Sequence, residues 1–492
     1  DRRYLTSYKI RSLHVFLHND TTIIIRDENP ERKGMGAKQR IYTAGVLYYT
    51  VLEIRTDFQK GRQDDVMERN DPRYQAYVEI LKEELIPAMG CTEPIALAYA
   101  AAKAREVLGV LPDSVQLQVS GSIIKNVKSV IVPNTGHLKG MEAAVAAGII
   151  AGSAEKELEV ISEVSEEKKS AIRDYLQTVP ITIEHTEQGH VFDIVVTERC
   201  GQDYARVRIA DYHTNICRIE KNGTVLYEVP LLDETVQADA RADRSLLNMQ
   251  DIWDFAETAD LRDVADLLER QIRYNNAIAE EGLLGDYGAN IGRVLLTTYG
   301  NDVSNRAKAK AAAGSDARMN GCELPVIINS GSGNQGITCS VPLIEYAKEL
   351  HSGKEKLYRA LIISNLVAIH EKTGIGTLSA YCGAVSAGAG AGAGIVYLCG
   401  DGYQAAIHTV VNALAIVSGI VCDGAKASCA AKIASSVDAA LLGYNMYKCN
   451  QEFKGGDGIV MKDIETTIKG IGRLGKDGMR QTNEEIIRLM MS

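Results

Sequence analysis

The chain has 492 residues, with 54 Lys and Arg against 64 Asp and Glu, a formal net charge of −10. That acidic balance argues against a nucleic-acid partner. Apolar residues at 46% and charged residues at 24% are globular usage, enough for a sizeable core in two or three domains, and they exclude a disordered or fibrous chain. The longest apolar stretches, over residues 384–398 and 413–421, are built from Ala and Gly, so a membrane-spanning reading fails and no membrane partner is expected. The N-terminus, Asp-Arg-Arg-Tyr, lacks the basic and apolar regions of a secretory signal. A cytoplasmic protein is expected, its ten cysteines mostly reduced thiols.

Residues 1–66 differ from the rest, with scattered charges, a Glu28-Asn-Pro-Glu-Arg-Lys-Gly-Met-Gly break and one β-like run over 21–25. They read as a poorly packed extension, translated from upstream of a start at Met67 and not native. From there, apolar spacing predicts helices over 74–86 and 95–107, the second entered through Cys91-Thr-Glu-Pro94 with Thr92 as cap signal. Alternation at Val115, Leu117 and Val119, then at Val127, Val130 and Val132, predicts strands, followed by an Ala-rich helix over 140–154. Residues 178–230 read as antiparallel strands with turns at 187–189 and 221–223. Beyond Ser245 helices are predicted over 252–276, 307–313, 343–350, 357–370, 405–417, 430–447 and 483–491. Gly-rich loops interrupt them at 329–336, 383–394 and 419–424; the Gly/Ala alternation of the middle one also suits close helix packing. The expected fold is α+β: a smaller α/β module with antiparallel strands over 67–245 and a mainly helical C-terminal domain over 246–492.

Cys382, Cys422 and Cys429 stand in or beside Gly-rich segments. Thiolates suit iron–sulfur clusters, and small neighbours let the backbone close around a bulky cofactor. The spacing matches neither the bacterial ferredoxin run nor the paired CxxC of zinc sites, and three buried structural thiols also fit it. A straight helix from Cys422 to Cys429 would rise about 10.5 Å, awkward for one compact cluster, so a bend at Gly424 is expected.

Cys91, just ahead of a helix, would feel the macrodipole and unpaired N–H groups, which favour a thiolate; Glu93 opposes this, and a buried thiol at a helix entry is the alternative. Three loops combine Gly with hydroxyl, amide or basic groups suited to a carboxylate: Ser120, Ser122 and Lys125; Asn134, Thr135 and His137; Ser330, Ser332 and Asn334. Each is equally an ordinary turn. No P-loop, nucleophile elbow, zincin or Rossmann fingerprint is present. The other cysteines, at 200, 217, 322, 339, 399 and 449, read as structural.

Gly90-Cys-Thr-Glu-Pro-Ile-Ala96, Ser120-Gly-Ser, Asn134-Thr-Gly-His, Asn329-Ser-Gly-Ser-Gly-Asn-Gln-Gly, Tyr381-Cys-Gly-Ala-Val-Ser-Ala-Gly and Val421-Cys-Asp-Gly-Ala-Lys-Ala-Ser-Cys429 together resemble the L-cysteine desulfidase family. That family is related to the α chain of iron–sulfur L-serine dehydratases, and the resemblance runs from about Met67 to the C-terminus. It implies a [4Fe–4S] cluster on Cys382, Cys422 and Cys429 with one iron open, and α,β-elimination of L-cysteine to sulfide and aminoacrylate, which hydrolyses to pyruvate and ammonia. It implies Cys91 as the base, with the three loops holding the small amino-acid substrate. Serine dehydratases space their second and third ligands more widely than the seven residues here, so the assignment follows the desulfidase branch. The alternatives are an L-serine dehydratase with the same cluster, a pyridoxal-phosphate lyase using the 330–336 loop but lacking a recognisable Schiff-base lysine motif, and a non-catalytic amino-acid-binding thiol protein. Homo-oligomerisation is left open.

Overall fold

The computed structural model describes residues 67–186, 190–229, 241–376 and 378–491, with four strands inside residues 1–66. These fall into two units, Asp1–Val66 and Met67–Ser492. In the first, β1 (Ser7–Ile10), β2 (Leu13–His18), β3 (Thr22–Asp27) and β4 (Arg40–Thr43) form an antiparallel sheet in that order. The sequence marks only β3; short strands interrupted by charge take their stability from cross-strand pairing, which local patterning does not report.

The second unit has the α+β architecture expected. It opens with α1 (Pro72–Glu84), β5 (Pro87–Met89), α2 (Thr92–Leu108), β6 (Ser114–Val119), α3 (Gly121–Val127), α4 (Gly140–Ala151) and α5 (Glu166–Thr178). Then come β7 (Ile181–His185), β8 (Asp193–Cys200), β9 (Asp203–Ala210), β10 (Ile216–Lys221) and β11 (Thr224–Glu228). The sheet order is β11-β10-β9-β8-β6-β7. All its pairs are antiparallel except β6 with β7, which is parallel: α5 supplies the crossover that a parallel pair requires.

Val115, Leu117 and Val119 point inward as their alternation predicts. The strand expected from Val127, Val130 and Val132 is instead the end of α3 and a turn, because a helix buried on every side mimics a strand in hydrophobicity alone. The 221–223 turn is present, with Asn222 and Gly223 both at positive φ, as a tight hairpin demands. The turn expected at 187–189 lies outside the described residues.

The helical half comprises α6 (Met249–Thr258), α7 (Ala265–Leu284), α8 (Ile291–Tyr299), α9 (Val303–Met319), β12 (Pro325–Ile327), α10 (Gly333–Glu349), α11 (Lys354–Ile375), α12 (Gly383–Cys399), α13 (Tyr403–Val417), α14 (Ser428–Lys448), α15 (Ile464–Arg473) and α16 (Arg480–Met491). The helix expected over 252–276 is two helices, separated where the Asp260 side chain accepts from Arg262 N and caps a short turn.

The Gly/Ala run read as a loop is helix α12. A Cβ added at Gly388 or Gly392 would come within 2.8 Å of Ser436 or Ala440 on α14, and one at Gly390 or Gly394 within 2.4 or 2.8 Å of the Ser364 or Ala360 carbonyl oxygens on α11. Alternate glycines thus let α12 sit between two helices at backbone contact. One continuous core reaches from Met67 to Ile471, so residues 67–245 and 246–492 share it. No helix among the described residues is long and apolar enough to cross a membrane.

Candidate active site

Two backbone contacts remove the 40-residue separation between Cys382 and Cys422. Tyr381 and Val421 form an isolated antiparallel bridge. On either side, Cys382 N donates to Ile420 O at 3.2 Å and Cys422 N to Ala380 O at 2.6 Å. Cys382 is the N-cap of α12, and Cys429 lies in the first turn of α14. Between Cys422 and Cys429 the chain turns at Gly424, whose φ is +94°, so the expected bend is there. The Lys125 ammonium ties the assembly together, donating to Ser379 O and Cys422 O, each at 3.3 Å, and to Asn483 Oδ1 at 2.7 Å.

These segments enclose a cavity of about 790 Å³, mouth included, lined by Cys91, Cys382, Cys422 and Cys429 together with Ser330, Ser332 and Asn334. The ladder of β5 with β12 sets the chain before Cys91 beside the chain before Asn329. The Thr92 hydroxyl then donates to Gly331 O at 2.9 Å. The Asn329 amide donates to Asn365 Oδ1 at 3.0 Å, and Asn365 is itself held by Gln271, which fixes the base of the loop.

The other loop residues singled out from sequence do not line this cavity. Ser120 donates to Val191 O, Asn134 to Ile161 O and Thr135 to Val132 O. Ser122 is buried in α3, His137 is exposed, and Lys125 braces the backbone as described. The 134–137 turn acts from behind: a Cβ at Gly90 would lie 2.7 Å from Pro133 Cγ, so this loop packs directly on the entry to Cys91.

Sequence reasoning missed Glu93 as a lining group and also Asn126, His213, Arg318, Gln335 and Lys372. Arg318 ends a helix predicted only over 307–313, and His213 lies between β9 and β10; neither belongs to a motif.

Cys91 is the N-cap of α2, but its side chain makes no capping bond. It is 1% exposed, and its thiol donates to Met319 Sδ at 3.5 Å. Of the two readings of Cys91, its enclosure favours a buried thiol at rest over a standing thiolate. Burial pushes the Cys91 thiol up to about 12, Glu93 and Cys429 push the same way, and the Arg318 guanidinium opposes them. Desolvation of a charge outweighs a partial dipole when the sulfur is wholly enclosed. Cys382 is likewise pushed up to about 12, by burial first and then by Cys422, and burial raises Cys429. Lys372, 6% exposed, is pushed down to about 8 by burial against the pull of Cys422 and Cys382.

Thiols that hinder one another's ionisation are thiols that a cation would relieve, since metal binding replaces their protons. Among the described residues no three His, Cys, Asp or Glu side chains converge as a single ion requires. A lone tetrahedral ion needs every sulfur about 2.3 Å from one centre, whereas a four-iron cluster takes each thiolate on a separate iron. Cys382, Cys422 and Cys429 line one cavity beside Gly383 and Gly424, and three thiols with small neighbours are donors that a four-iron cluster can take.

The family model for the serine dehydratase alpha chain matches residues 155–488. A UPF0597 protein of Desulfitobacterium hafniense is 61% identical over 426 residues, covering 87% of this chain and 99% of the relative. UPF0597 proteins of Lachnoclostridium phytofermentans and Treponema denticola are 52% and 47% identical, covering 85% and 86% of this chain and 100% of each relative.

Proposed function

The chain belongs to the serine dehydratase alpha chain family, and on that premise we propose that it is an α,β-eliminating lyase that converts L-cysteine to sulfide, ammonia and pyruvate. The observation that carries this reading is the shared cavity of Cys91, Cys382, Cys422, Cys429 and the 330–334 loop. Cys382, Cys422 and Cys429 would hold a [4Fe–4S] cluster, which supplies a Lewis acid with one iron open to substrate.

The chain's own groups do the rest. The Ser330 and Ser332 hydroxyls and the Asn334 amide orient the amino acid at the N-terminus of α10. The Cys91 sulfur, as thiolate, takes the Cα proton. Burial makes that thiolate costly, and the nearby Arg318 charge is what lowers the cost. Cys91 and Cys382 are themselves buried, which limits bulk water around the carbon that loses its proton. The short spacing between Cys422 and Cys429 favours the desulfidase branch, and L-serine is the alternative substrate.

The test is anaerobic purification of the full chain, assay of iron and acid-labile sulfide, and side-by-side measurement of pyruvate from L-cysteine and L-serine with sulfide from the former. About four irons per chain and faster release from cysteine are expected. A chain that assembles a cluster and turns over neither amino acid would be a binding protein. Because Lys372 lines the same cavity, borohydride reduction in the presence of pyridoxal phosphate is a further check; a pyridoxyl group on Lys372 would replace this mechanism with a Schiff base.

A further inference from the structure

Arg318 is 3% exposed and lines the cavity. Its Nη1 donates to Asn334 Oδ1 at 3.1 Å, while its buried Nε has no partner. The 333 position must be glycine for this to hold, because an added Cβ would stand 2.3 Å from Arg318 Nε. The guanidinium is thus pressed against the first residue of α10, at the end of a helix that itself favours an anion. A buried guanidinium whose hydrogen bond among the described residues goes to a neutral amide is poorly compensated, and its planar fork matches a carboxylate.

A charge of the opposite sign lines the same cavity. Glu93 accepts from the neutral Asn126 Nδ2 at 3.2 Å, and its other oxygen lies 3.1 Å from the Thr92 hydroxyl, whose shorter bond is to Gly331 O. Both charges act on Cys91 and on His213, so both side chains are within electrostatic reach of the pair. The cavity's other cation, Lys372, is on the side of Cys382 and Cys422. His213 has a buried Nε2 without a partner among the described residues, and burial disfavours its charged form, so it adds no competing charge.

We propose that Arg318 and Glu93 read the two charges of a zwitterionic α-amino acid, Arg318 taking the carboxylate and Glu93 the ammonium. The pair sets the substrate class: acids without an amino group, and amides or esters of amino acids, are rejected whatever their side chain. It also presents the α-carbon to the region of Cys91. This deepens the lyase reading, resting on its assumption that an amino acid enters this cavity.

The probe is L-alanine, which carries both charges and no β-leaving group, titrated calorimetrically into the full chain as purified anaerobically. L-Alaninamide, which lacks the carboxylate, and propionate, which lacks the ammonium, are the comparisons. The wild type should hold L-alanine at least about tenfold tighter than either, about 1.4 kcal/mol. Arg318→Gln should erase the preference over alaninamide, and Glu93→Gln the preference over propionate. Equal affinities in the wild type, no binding of L-alanine, or unchanged selectivity in either variant would overturn the proposal. Where Arg318→Gln fails to fold, Arg318→Lys, which keeps the charge and loses the fork, together with the wild-type comparison, decides. Charge-selective binding without release of ammonia or sulfide from L-serine or L-cysteine would sink the lyase reading and leave this pair standing.

Discussion

The carbonyl oxygen of Lys125 occupies the space that a side chain at position 424 would need: a Cβ built on Gly424 would lie 2.1 Å from it. Because φ at Gly424 is +94°, the position is closed to other residues twice over, by contact and by conformation. Gly424→Ala should therefore displace the 422–429 segment while the rest of the core stays folded. Its expected signature is loss of iron and visible absorbance with far-ultraviolet circular dichroism retained; a fully loaded cluster in this variant would refute the role given to the turn.

Lys125 itself is a bracing group. Lys125→Met keeps the length of the side chain and strands the carbonyls of Ser379 and Cys422, each orphaned acceptor costing about 1–3 kcal/mol. A lower melting temperature and faster loss of iron to a chelator are expected, with wild-type selectivity among amino acids in whatever fraction remains loaded.

How far the site was legible beforehand follows from what kind of information each residue carries. Cys91, Cys382, Cys422 and Cys429 announce themselves by chemistry and by small neighbours, and Gly424 could be named because a straight helix would hold two sulfurs too far apart. Arg318 and His213 line the cavity through tertiary packing, which no local spacing encodes, whereas Glu93 stands two residues from Cys91 and enters the sequence reading only through its charge. The opposite error arose at Ser120, Asn134 and Thr135, whose polar groups are consumed by backbone carbonyls nearby: a turn that satisfies itself looks, in sequence, like a turn that awaits a ligand. The same limit explains α12, where glycine suggested a loop although its freedom is spent on helix contact.

Cys91→Ala removes the proposed base and a buried sulfur whose hydrogen bond goes to Met319, with Cys429 packed against the same small apolar cluster. Elimination should fall to background, while iron content and visible absorbance match those of the wild type. Persisting turnover would assign proton removal to another group.

Glu198 offers a check on the module away from the cavity. It is fully buried in β8, neither carboxyl oxygen has a hydrogen-bond partner, and burial raises its pKa well above the ordinary value, with Arg105 opposing. The folded chain therefore holds a proton that the unfolded chain releases above about pH 4.3. Stability contributed by this group is complete below that pH and is lost as pH rises toward the raised folded value. Glu198→Gln removes this dependence, so denaturant titration should find the variant's stability relative to the wild type rising between about pH 4 and pH 8. A gain that is the same at both values would contradict the assignment.

Helix α12 is clasped from opposite sides by Ser436 and Ala440 and by Ser364 and Ala360, and Cys382 is its cap. One sulfur is consequently mounted on a clasped helix, Cys429 sits in the first turn of α14 that does part of the clasping, and Cys422 is tied to the same place through Ala380 O. Under the proposed function, a cofactor held by Cys382 and Cys429 would therefore be gripped at two of its corners by one packed helix pair.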